Sequence, residues 1–187
     1  MRLGILISER GSNLVALAEA ARDGRIKGAQ IAVVISDQTD APGLARAAEM
    51  GLTTHIIEKK GRPRADHDAE IVTALRAHGV ELICLAGYMR LLSPAFIAAY
   101  RGRILNIHPS LLPAFPGLHA QRQALEYGVK ITGCTVHLVD EGLDTGQILA
   151  QRAVPVLEGD TEAILAARIL EQEHQLYAEV VAQQTGS

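Results

Sequence analysis

The sequence predicts an α/β protein: a mostly parallel, twisted sheet flanked by helices, with an antiparallel portion toward the C-terminus. Three observations predict it. Short runs rich in Ile, Leu and Val alternate with longer amphipathic stretches, the rhythm of strand-helix-strand units. The last two apolar runs are separated only by an acidic, glycine-containing turn, Asp140-Glu141-Gly142-Leu143-Asp144-Thr145-Gly146. That connection is too short for a parallel crossover, so the two strands should pair antiparallel. Finally, 187 residues at 48% hydrophobic composition suffice for the core of one continuous α/β domain.

Each element has a local reason. A strand over 3–7 leads to a helix over about 13–22, a strand over 31–35 to a helix around 43–50, and a strand over 55–57 to a helix over 64–78. Strands over 82–85 and 104–106 continue the pattern. Between them Ser93-Pro94 reads as an N-cap followed by proline at the first helical position, which predicts a short helix through 96–100. A proline-punctuated loop over 108–119 precedes a helix near 121–127, strands over 131–139 and 148–156, and a long helix from Thr161 to about Gln183. This last helix opens on Asp160-Thr161-Glu162, a cap with acid in the first turn. No repeat or low-complexity linker divides the chain, and the arrangement is Rossmann-like.

Composition excludes several classes of function. The net charge of −3 with scattered Lys and Arg lacks the basic stripe that a nucleic-acid partner requires. With four Tyr, two Phe and no Trp, a bound ring would be recognised by backbone and aliphatic walls rather than by stacking. Cys84 and Cys134 lie in apolar strand-like runs and read as small core residues, not as a disulfide or a nucleophile. A strand follows Met1 directly, and no run approaches membrane-spanning length, so a soluble, cytoplasmic protein is expected.

Three constellations could carry chemistry. Ser8-Glu9-Arg10-Gly11-Ser12-Asn13 joins the first strand to the first helix, where backbone N–H groups and the helix dipole favour a phosphate; the plainer alternative makes Ser12 only the helix N-cap. It contains one glycine of a dinucleotide fingerprint, and the chain has no nucleotide-triphosphate loop, so neither NAD nor ATP is favoured. The second is Asn106-Ile107-His108-Pro109 at a strand end: alternation points Asn106 and His108 the same way, an amide and an imidazole suited to an oxyanion and a proton in acyl transfer. The third is Asp144, a carboxylate able to orient His108 if the acidic turn folds back, although Asp140 and Glu141 compete for that role. The other histidines show no metal-ligand spacing, and no metal is expected. His137 could line the site, but an interior, hydrogen-bonded histidine is the favoured reading.

Four separated segments together resemble the phosphoribosylglycinamide (GAR) formyltransferases of the folate-dependent formyltransferase family. They are Gly11-Ser12-Asn13; Leu85-Ala86-Gly87-Tyr88-Met89-Arg90-Leu91-Leu92-Ser93-Pro94; Asn106 through Pro113 with Pro116-Gly117-Leu118-His119; and Gly133-Cys134-Thr135-Val136-His137 leading to Asp144. The resemblance implies one formyltransferase domain over 1–187, with ribonucleotide binding in its N-terminal half and folate binding and catalysis in its C-terminal half. It further implies Asn106, His108 and Asp144 as the catalytic set. Gly11, Ser12, Asn13 and Glu173 would hold the ribonucleotide. Arg64, Met89, Arg90, Leu91, Leu92, Asp140, Glu141, Gly142 and Leu143 would line a folate pocket. The implied co-substrate is 10-formyltetrahydrofolate, with small-molecule substrates as partners, no nucleic acid or membrane, and a homodimer left open. Two departures stand out: Glu9 occupies a position where the family usually has glycine, and the chain ends soon after the last helix, where many relatives continue with further strands. Rival readings are a methionyl-tRNA formyltransferase, a formyltetrahydrofolate hydrolase, each with an added domain, or a non-catalytic phosphate sensor.

Overall fold

The computed structural model describes residues 1–186. Seven strands, β1 (Arg2–Ile7), β2 (Gln30–Ser36), β3 (Thr54–Ile56), β4 (Leu82–Leu85), β5 (Ile104–His108), β6 (Ile131–Leu138) and β7 (Ile148–Pro155), form one sheet in the order β3-β2-β1-β4-β5-β6-β7. Strands β1 to β5 run parallel, and β6 and β7 are antiparallel to their neighbours. Helices α1 (Ser12–Arg22), α2 (Pro42–Glu49), α3 (Arg64–Ala77), α4 (Pro94–Ala99), α5 (Ala120–Tyr127) and α6 (Glu162–Thr185) complete the fold. Every strand and helix expected from the sequence is present. Strand β5 runs to His108 rather than Asn106 because β6 pairs with its last residues.

Alternating side chains divide the core into two layers. Leu3, Ile5 and Ile7 of β1, Cys84 of β4, Leu105 of β5 and Cys134 of β6 pack against α1 and α6, with Leu17, Ile169 and Tyr177 fully covered. Leu6, Ile83 and Ile104 face the other way and pack against α3 and α4 with Ile71, Leu75 and Phe96. Burying each such aliphatic side chain is worth roughly 1.5–3 kcal/mol. Both cysteines are free and buried, and burial pushes each thiol up to about 12, as befits core residues.

The sheet order reverses between β1 and β4, since chain connections leave β1 toward β2 on one side and reach β4 on the other. The loops that follow these two strands lie at the C-terminal ends of the strands, the edge where open α/β sheets bind ligands. Two hydrogen bonds join the loops: Ser8 N donates to Gly87 O at 3.1 Å, and Met89 N donates to Ser8 Oγ at 2.9 Å.

Candidate active site

In the antiparallel pairing of β5 with β6, Asn106 lies opposite His137 and His108 opposite Thr135. The alternation that buries Leu105, Ile107, Cys134 and Val136 in one core layer puts these four polar residues on the opposite face. Asn106 Nδ2 is 3.1 Å from His137 Nε2, and His137 Nδ1 is 2.9 Å from Leu138 O. A carbonyl only accepts, so Nδ1 carries the hydrogen and Nε2 is left to accept from the Asn106 amide. Burial holds the His137 pKa below the ordinary histidine value, although the Leu138 carbonyl and Asp144 oppose it. The interior histidine expected from the sequence is thus interior, and its Nε2 edge also enters the polar cluster.

Asp144 comes from the turn between β6 and β7. Its Oδ2 is 3.5 Å from His108 Nδ1 and accepts from Gly117 N at 2.8 Å, while Oδ1 is 3.8 Å from His137 Nε2. The residue sits at φ 54°, a left-handed conformation that Asp tolerates better than most and that aims its carboxylate inward. Its two competitors are otherwise engaged or exposed. Asp140 Oδ1 closes its own turn by accepting from Gly142 N at 3.0 Å and Thr145 Oγ1 at 2.7 Å, and Glu141 is exposed.

The other edge of His108 meets the loop after β5. Its Nε2 is 2.9 Å from Phe115 O, presented by a residue at φ 54°. The ring therefore faces an oxygen on each side. Thr135 Oγ1 secures this loop, donating to Ser110 O at 2.7 Å and accepting from Leu112 N at 3.0 Å. Gln151 of β7 adds donors to Leu112 O at 2.9 Å and to Thr135 Oγ1 at 3.0 Å.

At the first loop, α1 begins at Ser12, and its N-cap is Gly11 at φ 66° with no side-chain cap. Ser12 is therefore not the cap, and the first N–H groups of α1 have no side chain of the cap residue on them. A side chain at Gly11 would meet Gly43 Cα at 2.9 Å, so α2 braces the loop from below. Glu9 is not among the non-glycine residues at positive φ, so its backbone does not require glycine. Asn13 Nδ2 donates to Glu173 Oε2 at 2.9 Å across 160 residues of sequence, which brings α1 and α6 together. Burial raises the Glu173 pKa above the usual carboxylate value, against the opposing pull of the Asn13 bond.

The remaining expected residues surround these groups unevenly. Leu92 is buried, Met89, Leu91 and Leu143 are more than half exposed, and Arg64 lies exposed at the first position of α3. A cavity of about 400 Å³ opens beside the acidic turn and is lined by Asp140, Glu141 and Gly142 together with Ile97, Arg101, Val139 and Gln147. Those last four were not expected. Ile97 and Val139 carry no mark in the sequence beyond apolarity, the same property that builds the core. Among the described residues no group of three or more His, Cys, Asp or Glu is arranged to hold a metal ion, and no helix is long and apolar enough to cross a membrane.

Residues 1–181 match the formyl transferase family. The chain belongs to it. It is 44% identical over 183 residues to phosphoribosylglycinamide formyltransferase of Escherichia coli, an alignment covering 97% of this chain and 86% of that protein. It is 50% identical over 184 residues to the trifunctional purine biosynthetic protein adenosine-3 of Drosophila pseudoobscura pseudoobscura. This alignment covers 97% of the chain but 13% of that longer protein. The crystal structure of glycinamide ribonucleotide transformylase 1 from Symbiobacterium toebii superposes with a TM-score of 0.97 at 52% identity, over 100% of this chain and 88% of that one. In this formyl transferase, the acidic turn leaves β6 beside the start of β5 and folds back so that Asp144 reaches His108 at the end of β5.

Proposed function

We propose that the chain transfers the formyl group of 10-formyltetrahydrofolate to the amine of glycinamide ribonucleotide, giving formyl-GAR and tetrahydrofolate in de novo purine biosynthesis, as a cytoplasmic enzyme without a metal. The observation that carries this reading is that Asp144, from a distant turn, lies beside both His108 and His137, the latter bound to Asn106. The family and the names of the relatives point to the same transfer.

Gly11, Ser12 and Asn13 take the ribonucleotide phosphate on the N–H groups opening α1, and Glu173 takes the ribose hydroxyls. Arg64, Met89, Arg90, Leu91, Leu92, Asp140, Glu141, Gly142 and Leu143 take the folate, largely through backbone and aliphatic groups. The amine nitrogen attacks the formyl carbon, a C–N bond forms, and the carbonyl electron pair moves to oxygen. Asn106 keeps one amide hydrogen beyond the one it gives to His137, and this hydrogen is available to the oxyanion. His108 offers its Nε2 hydrogen by exchanging Phe115 O for the oxyanion, while Asp144 holds the ring as the cation. Collapse breaks the bond to N10 of the folate, which takes a proton, and Asp144 relays the proton lost by the amine through a water.

An absorbance assay of folate deformylation, run with and without the ribonucleotide, tests the reading. Turnover should require the ribonucleotide, whereas formate release without it identifies a hydrolase. In the same assay Asn106→Ala should lower kcat by about 10²–10³ with little change in KM, the usual cost of one oxyanion donor. Near-wild-type kcat in that variant rejects the assignment of Asn106.

A further inference from the structure

Below the proposed folate walls lies a buried polar cluster that the chemistry above does not use. His67 and Asp68 are 0% and 1% exposed, although Asp is almost never covered so completely unless it is paired. Asp68 Oδ2 accepts from Ser93 N at 2.6 Å, a bond between residues 25 apart in sequence. His67 Nε2 is 2.7 Å from Ile57 O, and its Nδ1 is 3.5 Å from Asp68 Oδ1. This histidine thus stands between a backbone carbonyl and a carboxylate, as His108 does in the candidate site.

The sequence positions give the cluster its consequence. Arg64 opens α3, and His67 and Asp68 follow one helical turn later. Tyr88 and Ser93 bracket Met89, Arg90, Leu91 and Leu92, and Ser93 Oγ caps α4 by accepting from Phe96 N at 3.3 Å. One carboxylate therefore links the second turn of α3, one turn from Arg64, to the end of the 89–92 segment. A charge-assisted bond to a backbone amide is shorter and roughly twice as strong as a neutral one, which suits a strut between two exposed walls.

We propose that Asp68 is a positioning residue for the folate site, fixing Arg64 and the 89–92 segment at one separation so that both walls meet the ligand together. This rests on the folate reading of those residues. Steady-state transfer kinetics on the full chain test it. In D68A the KM for 10-formyltetrahydrofolate should rise about tenfold, the scale of a lost bond to a charged group, while the ribonucleotide KM and kcat stay within about twofold. D68N, whose amide oxygen still accepts from Ser93 N, should return the folate KM to within about threefold of wild type.

An unmoved folate KM in D68A overturns the proposal. So does an equal loss across folate KM, ribonucleotide KM and kcat, the pattern of general structural damage. If D68A does not fold, D68S replaces it, since its hydroxyl keeps the cavity polar but is too short to reach Ser93 N, and the same outcomes decide. Failure of the parent reading looks different, because the wild-type protein itself then shows no ribonucleotide-dependent transfer. In that case calorimetric titration with tetrahydrofolate decides: about tenfold weaker binding to D68A supports the strut, and equal binding, or none to wild type, removes it.

Discussion

Glu173 holds a carboxylate at 7% exposure with one donor, Asn13 Nδ2, upon it, and burial raises its pKa above the reference of 4.5. A carboxyl whose pKa is higher in the folded than in the unfolded chain contributes stability that is full below the unfolded value and lost as pH rises through the folded one. At neutral pH the ionised group is therefore a cost to the unliganded protein. Glu173→Gln keeps an oxygen for Asn13 but removes the charge. It should melt above wild type at pH 7, with the gap closing as pH falls toward 4.5. The same variant should weaken ribonucleotide binding about tenfold if the carboxylate takes ribose hydroxyls. Thermal melts across pH together with a ribonucleotide titration check both, and a variant no more stable than wild type at pH 7 rejects the first. His137 shows the limit of reading single residues. Asn106, His108 and Asp144 drew notice because an amide, an imidazole and a carboxylate near strand ends suit oxyanion chemistry, whereas a histidine inside an alternating strand looks the same whether it faces a site or merely satisfies a carbonyl. Only the register, Asn106 opposite His137, separates the two.

At the scale of elements the sequence was most legible where local chemistry acts alone. Ser93 and Thr161 cap α4 and α6 as their types suggest, with Oγ accepting from Phe96 N and Oγ1 from Ile164 N, each at 3.3 Å. It was less legible where another element decides. The end of β5 depends on β6, and the start of α1 on the close approach of Gly43 to Gly11, neither of which is a property of the local residues. Gly133 is a further case: an alternating strand pattern gives no sign that β6 must be bare there. A Cβ at that position would stand 1.9 Å from Arg152 O of β7, a backbone atom that cannot rotate away. Gly133→Ala should therefore part the β6–β7 pairing and destabilise the protein by about 3 kcal/mol or more, the upper range of overpacking. For a chain of this size that is a fall of about 6 °C or more in Tm. An alanine variant that melts with wild type would show that β7 shifts freely.

For the molecule as a whole, the rule that open α/β sheets bind ligands at the C-terminal edge of their strands indicated where chemistry belongs, but not which loops converge there. Strand order supplies that, and it follows from long-range packing: the loops after β1 and β4 meet because these strands are neighbours despite some 75 residues between them, as the register Leu3 to Leu82 shows. Helix α6 is the element that fastens this arrangement. It buries Leu165, Ile169, Leu176, Val180 and Val181 on one face of the sheet and also carries Glu173 to the first loop. Its Tyr177, fully buried, directs one hydroxyl between Leu85 O at 3.1 Å, at the end of β4 that leads to the folate segment, and Leu105 O at 3.0 Å, in β5 directly before Asn106. Tyr177→Phe keeps the ring and its packing but withdraws the only hydrogen the side chain offers those carbonyls. The loss should be about 1–2 kcal/mol, a fall of about 3–6 °C in Tm. If the hydroxyl also sets the spacing of β4 and β5 at this level, kcat should drop with it, because Asn106 follows Leu105 directly. A variant with wild-type Tm would mean that the carbonyls find other donors and that packing by α6, not this bond, holds β4 and β5 in place.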